Sequence, residues 1–337
     1  MQYPHRFPRI ATAFLAGWLA HSATAAVIGD PSGTGPSPGI AETHAGLPNH
    51  TIYRPQRWPT TPVPVYLWGN GGCSNNGLAH AAYLRQIASS GYFVIALGPP
   101  QQGGGPRAAA PPAGAPPAGA APPPRAGAGA GAPPRAGAAG PPPGNDPTTP
   151  AQLLEGLDWA TRENARADSE LRGHLDLTRV AVGGHSCGGL QALAISHDPR
   201  INTTLVLDSG IYIRPGGRSG VAIDKTQLTR LHAPVFYLTG GPSDIAHENA
   251  LDDFAKLERI PVFLASLPVG HGGTFSAPDG GDWARVTTRW LDWQLKRDAD
   301  AGRDFAGAAC RLCTDSRWTV MQKNLPQPAG AATPAAK

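Results

Sequence analysis

Short apolar runs alternate with amphipathic stretches along most of this chain. Residues 63–68 and 92–97 are continuous apolar or β-branched runs, the pattern of strands buried on both faces. Residues 50–54, 178–182, 203–207, 235–239 and 261–267 read as further strands. Between them lie segments with helical spacing. Residues 75–90 place Leu78, Ala82, Leu84 and Ile87 on one side and stop at Gly91. Thr149 and Pro150 open a helix through Glu163, with Thr149 as cap and Pro150 at the first helical position. Residues 187–196, 244–257 and 282–295 complete the set. Strands alternating with helices predict an α/β domain, with a mainly parallel central sheet and helices on both faces.

Three segments break the pattern. Residues 1–25 have a basic start (His5, Arg6, Arg9), an apolar stretch from Ile10 to Ala20, and small residues Ala23-Thr24-Ala25, as in an export signal. The apolar stretch is short of the roughly 20 residues that span a bilayer; a retained N-terminal anchor is the alternative. Residues 27–48 are rich in Gly and Pro and read as a surface wrap. From 101 to 144 the chain holds almost only Pro, Ala, Gly and three Arg. Such a stretch buries too little apolar surface to offset its ordering entropy, so a disordered or polyproline-like insertion is expected. The flanking elements continue one alternation, so 26–300 reads as one interrupted domain, with 301–337 as an extension.

The net charge of +4 is modest, and no basic patch interleaved with aromatics points to nucleic acid. No stable membrane insertion is expected, and the chain reads as a monomer. Four cysteines in an exported chain favour disulfides, which places the protein outside the cytoplasm, secreted or periplasmic. The preferred pairs are Cys73–Cys187 and Cys310–Cys313; a buried free thiol at Cys187 is the alternative. The C-x-x-C at 310–313 has no further metal ligands nearby, and no metal or organic cofactor is expected.

The chemistry centres on Gly184-His185-Ser186-Cys187-Gly188, between a strand and a helix. That turn forces its central residue into strained backbone geometry and exposes its side chain above the sheet. Ser186 is therefore the candidate nucleophile, a plain helix cap being the alternative. A serine hydroxyl needs a base, and the base an orienting acid, in the chain order Ser, acid, His. Asp244 follows the strand at 235–239, and His271 lies in a glycine-rich loop after the strand at 261–267. Asp208 is the rival acid and His247 the rival base; Asp244 could also serve only as a helix cap. His185 is expected on the core side of the turn. Oxyanion donors are expected at the backbone of Cys187 and of Asn70, with Gly71 close behind. Trp68 and Tyr212 are candidates for the acyl pocket, plain core being the alternative.

Leu67-Trp68-Gly69-Asn70-Gly71-Gly72, Gln152-Leu153-Leu154-Glu155-Gly156-Leu157-Asp158-Trp159 and Val182-Gly183-Gly184-His185-Ser186-Cys187-Gly188-Gly189 resemble the secreted α/β-hydrolases. The nearest branch is that of cutinase-like polyester hydrolases, dienelactone-hydrolase-like esterases and chlorophyllase-like enzymes. The resemblance covers about residues 48–300 apart from the insertion. It implies an α/β-hydrolase fold and ester hydrolysis through an acyl-enzyme, with Ser186, Asp244 and His271 as triad and Asn70 and Cys187 as oxyanion donors. Polyester-active members usually carry an aromatic residue or Met where this chain has Asn70 and Cys187. The ester is thus either polymeric or small. A Ser nucleophile departs from dienelactone hydrolases, which use Cys, and from dehalogenases, which use Asp. A non-catalytic polymer- or wall-binding protein on the same scaffold, and a serine peptidase or amidase, are the other readings.

Overall fold

The structure, a computed structural model, describes residues 26–101, 147–214 and 220–326. The expected leader at 1–25, and all but the first residue of the insertion expected at 101–144, lie outside the described residues.

In chain order the elements are β1 (Ala26–Ser32), β2 (Gly39–Thr43), β3 (His50–Pro55), β4 (Val63–Gly69), α1 (Ala81–Ser89), β5 (Phe93–Leu97), α2 (Pro150–Ala165) and β6 (Leu175–His185). There follow α3 (Cys187–Ile195), β7 (Ile201–Leu207), β8 (Val235–Thr239), α4 (His247–Lys256) and β9 (Val262–Ser266). The last are α5 (Gly281–Lys296), the single-turn helices α6 (Ala299–Gly302) and α7 (Arg311–Thr314), and β10 (Thr319–Lys323). All ten strands form one mixed, mostly parallel sheet in the order β1-β2-β3-β5-β4-β6-β7-β8-β9-β10. The contiguous block from β5 to β9 is parallel. Antiparallel strands flank it on both sides.

The alternation of side chains along β4 divides the core. Tyr66 and Trp68 face one layer, with Tyr83 and Leu84 of α1 and Trp283 and Trp290 of α5. Val63, Val65 and Leu67 face the other, with Leu153 and Leu157 of α2 and Ala192 and Ile195 of α3. Strands covered on both faces must be apolar throughout, and β4, β5, β8 and β9 are buried along their full lengths. The start of α2 is as its sequence suggests. Pro150 occupies the first turn, and the Thr149 amide donates to Gln152 Oε1 at 2.7 Å, closing a capping box.

Three expectations need correction. The supposed wrap at 27–48 contributes β1 and β2, which extend the sheet beyond β3. Pro31 is tolerated there because β1 is an edge strand with a register shift between Ile28 and Ser32. The helix expected from residue 75 starts only at Ala81. Asn76 spends its side-chain oxygen on the amides of Leu78 and Gln101, and Tyr53 donates to the Gly77 carbonyl at 2.6 Å, so this stretch is an anchored loop. The extension after 300 is part of the domain as far as it is described. Phe305, Cys310, Leu312 and Trp318 join the core against α5, and β10 pairs with β9 in antiparallel register.

Candidate active site

The loops at the C-terminal ends of β4, β6, β7, β8 and β9 meet over one edge of the sheet. Ser186 stands between β6 and α3 with φ 53° and ψ −117°, a conformation that non-glycine residues rarely adopt. Its neighbours make this possible. A Cβ on Gly184 would lie 2.3 Å from the Gly188 carbonyl carbon, and one on Gly188 would lie 2.0 Å from the Gly69 oxygen. The first turn of α3 therefore packs directly on β4 and β6, and only glycine fits at both places. Two further bonds hold the turn: the Ser186 amide donates to the Leu207 carbonyl at 3.0 Å, and Ser209 Oγ donates to the Ser186 carbonyl at 2.6 Å. The Ser186 side chain makes no capping bond to α3.

That side chain is engaged elsewhere. Ser186 Oγ lies 2.9 Å from His271 Nε2, and His271 Nδ1 lies 2.6 Å from Asp244 Oδ1. A carboxylate only accepts, so Nδ1 carries the proton and Nε2 accepts from the serine hydroxyl. The Asp244 side chain is fully buried, whereas that of His271 is 29% exposed. Burial works to raise the Asp244 pKa. Hydrogen bonds from His271 and from the Ala246 and Gly240 amides outweigh it and hold the carboxyl below its ordinary range. Asp244 thus stays ionised beside the imidazole, and the turn into α4 begins only at His247.

The rival residues are placed differently. His247 Nδ1 pairs with Thr239 Oγ1 at 2.9 Å. Asp208 is completely buried at the end of β7 and takes the Trp283 indole N–H at 2.9 Å. His185, expected on the core side of the turn, packs there against His80 and the core residue Phe275, and its Nε2 lies 2.9 Å from the His271 carbonyl oxygen of the base loop. Burial lowers its pKa to about 4, so it is a neutral ring that donates from Nε2. His185 therefore braces the backbone that presents His271. The G-x-S-x-G pattern did not signal this, because its second position is free in the pattern.

The loop after β4 sorts its residues clearly. Asn70 is fully buried. Its side-chain amide donates to the carbonyls of Ser74, Asn76 and Leu97, and its oxygen accepts from Trp68 Nε1 at 3.0 Å. A Cβ on Gly188 would lie 2.7 Å from the Asn70 backbone nitrogen. The Asn70 side chain holds the loop's shape, and Gly72 is exposed at φ 62°. Cys187 opens α3 beside Ser186.

Cys73 and Cys187 are joined, tying this loop to the first residue of α3; Cys310 and Cys313 form the second disulfide. The first closes a sequence separation of 114 residues, the second of 3. Loop-closure entropy favours the longer one, so replacing Cys73 and Cys187 together by Ala should cost about 2–5 kcal/mol. Urea unfolding of the double variant against wild type measures this. An unchanged midpoint, with free thiols titrating in the wild type, would show that the bond is not there.

Trp68, a candidate for the acyl pocket, is fully buried. The pleat of β4 turns it into the layer beneath α1, in edge contact with His80 and Phe275, so it is core. Tyr212 is 37% exposed and lines a cavity of about 610 Å³ with Ile213, Val221 and Ile223, on the segment after β7. Among the described residues, no group of three or more His, Cys, Asp or Glu side chains is placed to hold a metal ion. Also among the described residues, no helix is long and apolar enough to cross a membrane. Compared with protein-family models and with curated proteins, the chain matches none.

Proposed function

We propose that this protein is an exported serine hydrolase of carboxylic esters, with an α/β-hydrolase fold. The observation that carries the proposal is the continuous relay from Ser186 Oγ through His271 to the buried Asp244 carboxylate. Its members follow three different strands of one parallel block, in the chain order Ser, acid, His. A helix cap or a core histidine has no need of such a relay.

In this mechanism Ser186 Oγ attacks the ester carbonyl carbon, and its proton passes to His271 Nε2. Asp244 stabilises the imidazolium that forms. The tetrahedral oxyanion faces the amide of Cys187 at the start of α3, where the helix dipole favours negative charge. The second donor is the Asn70 amide in the loop after β4, with that of Gly71 close behind. The intermediate expels an alkoxide, which takes the proton from His271 and leaves as the alcohol. Water then attacks the acyl-enzyme, gives its proton to His271, and the acid is released as Ser186 recovers its own. The two disulfides fit an oxidising compartment, which supports export through the leader at 1–25.

A panel of short-chain nitrophenyl esters against matched anilides tests the reaction class. Turnover of the esters, with anilides slower by several orders of magnitude in kcat/KM, is the expected result. Comparable kcat/KM for both would make the protein an amidase or peptidase, and no turnover of either would remove the esterase reading.

A further inference from the structure

Behind the triad lies a second carboxyl group. Asp208 is the first residue after β7, and its amide donates to the Leu238 carbonyl of β8 at 2.7 Å. It is held at φ 45°, an unfavourable value for Asp. Its side chain touches both loops that carry the acid and the base. A Cβ on Gly273, two residues after His271, would lie 2.9 Å from Asp208 Oδ2. The Gly240 amide donates to Asp244 Oδ2 at 3.2 Å. The two carboxyls follow the neighbouring strands β7 and β8, and the charge of Asp244 and a hydrogen bond between the two side chains both raise the Asp208 pKa.

The partners divide the oxygens. Asp208 Oδ2 accepts from the Trp283 indole at 2.9 Å, whereas Oδ1 is buried with no group donating to it. Asp244 Oδ1 receives His271 and the Ala246 amide, so its Oδ2 is the atom with capacity to spare. Two anions cannot share such a site away from water, and one of them must hold a proton. Asp244 is pinned as the anion by His271. Burial, and then the charge of Asp244, push Asp208 well above the ordinary carboxyl range.

We propose that Asp208 is a positioning residue of the triad: its neutral carboxyl donates Oδ1–H to the Asp244 carboxylate and fixes the face that Asp244 turns to His271. This rests on the esterase reading for its functional meaning, but the shared proton is a property of the resting protein. It also explains why a buried acid follows β7 as well as β8. The first is a hydrogen-bond donor and the second is the anion.

Asparagine reproduces a neutral carboxyl at this place, with its oxygen to Trp283 and its N–H to Asp244; alanine does not. Asp208→Asn should keep kcat within about tenfold. Asp208→Ala should lose on the order of 10–100-fold in kcat with KM little changed, the scale on which outer-shell partners of active-site ligands act. Infrared difference spectra of Asp208→Asn against wild type, without substrate, should show loss of the C=O stretch of a buried protonated acid. If wild type lacks that band, or if Asp208→Asn slows turnover as much as Asp244→Asn, the assignment is overturned. Full kcat in a folded Asp208→Ala would also overturn it. Should Asp208→Ala fail to fold, the asparagine variant and the spectrum still decide. The infrared result is independent of turnover, so failure of the esterase reading and failure of the shared proton are told apart.

Discussion

Ser186→Ala is expected to lower ester turnover by about 10⁶-fold, the scale for loss of a serine nucleophile. The fold should survive the change. The hydroxyl makes no capping bond to α3, and its hydrogen bond is to a partly exposed histidine. Alanine bears the same positive φ no worse than serine, so the melting transition should move little. The members of a triad act as a unit, so adding His271→Ala to Ser186→Ala should cost almost nothing more. Kinetics of the single and double variants, with a thermal melt of each, measure both statements. A Ser186→Ala protein that still hydrolyses esters would leave this turn with a structural role only.

Asp244→Asn should reduce kcat by about 10⁴-fold. The cause is the tautomer. Asp244 Oδ1 can only accept, and it obliges His271 to carry its proton on Nδ1. An asparagine amide can donate to Nδ1 instead. The ring then keeps its proton on Nε2 and cannot receive that of Ser186. The imidazolium also loses its counter-charge. Asp208→Asn should be far milder, because Asp208 already acts as a neutral group. Steady-state kinetics of the two variants under one set of conditions give the ranking, and the opposite order would move the catalytic acid to β7.

Much of this site was legible from chain order. Ser186, Asp244 and His271 each follow a strand whose apolar run is unmistakable, and their order then suffices to pair them. The relay at 2.6 and 2.9 Å is where those expectations led. The elements that were missed depend on long-range pairing. β2 holds five residues including a glycine and forms because β3 offers an unpaired edge. β10 covers β9 from 53 residues further along the chain, a separation no local pattern spans. Burial was the other blind spot. Nothing in the composition of the loop after β4 says that Asn70 turns inward while Gly72 turns out. Likewise, Trp68 became core through the pleat of β4. Asp208 read only as a competitor to Asp244, because the pairing of β7 with β8 that sets the two acids side by side is visible only in three dimensions.

The central claim is that Ser186 is a nucleophile activated by His271. A fluorophosphonate reacts with such a serine and leaves a covalent phosphonyl group, which peptide mapping by mass spectrometry locates. Wild-type protein should gain one adduct, on the peptide carrying Ser186. Ser186→Ala should gain none, and Asp244→Asn should label much more slowly. An unlabelled wild type, or equal labelling of Ser186→Ala, would contradict the account.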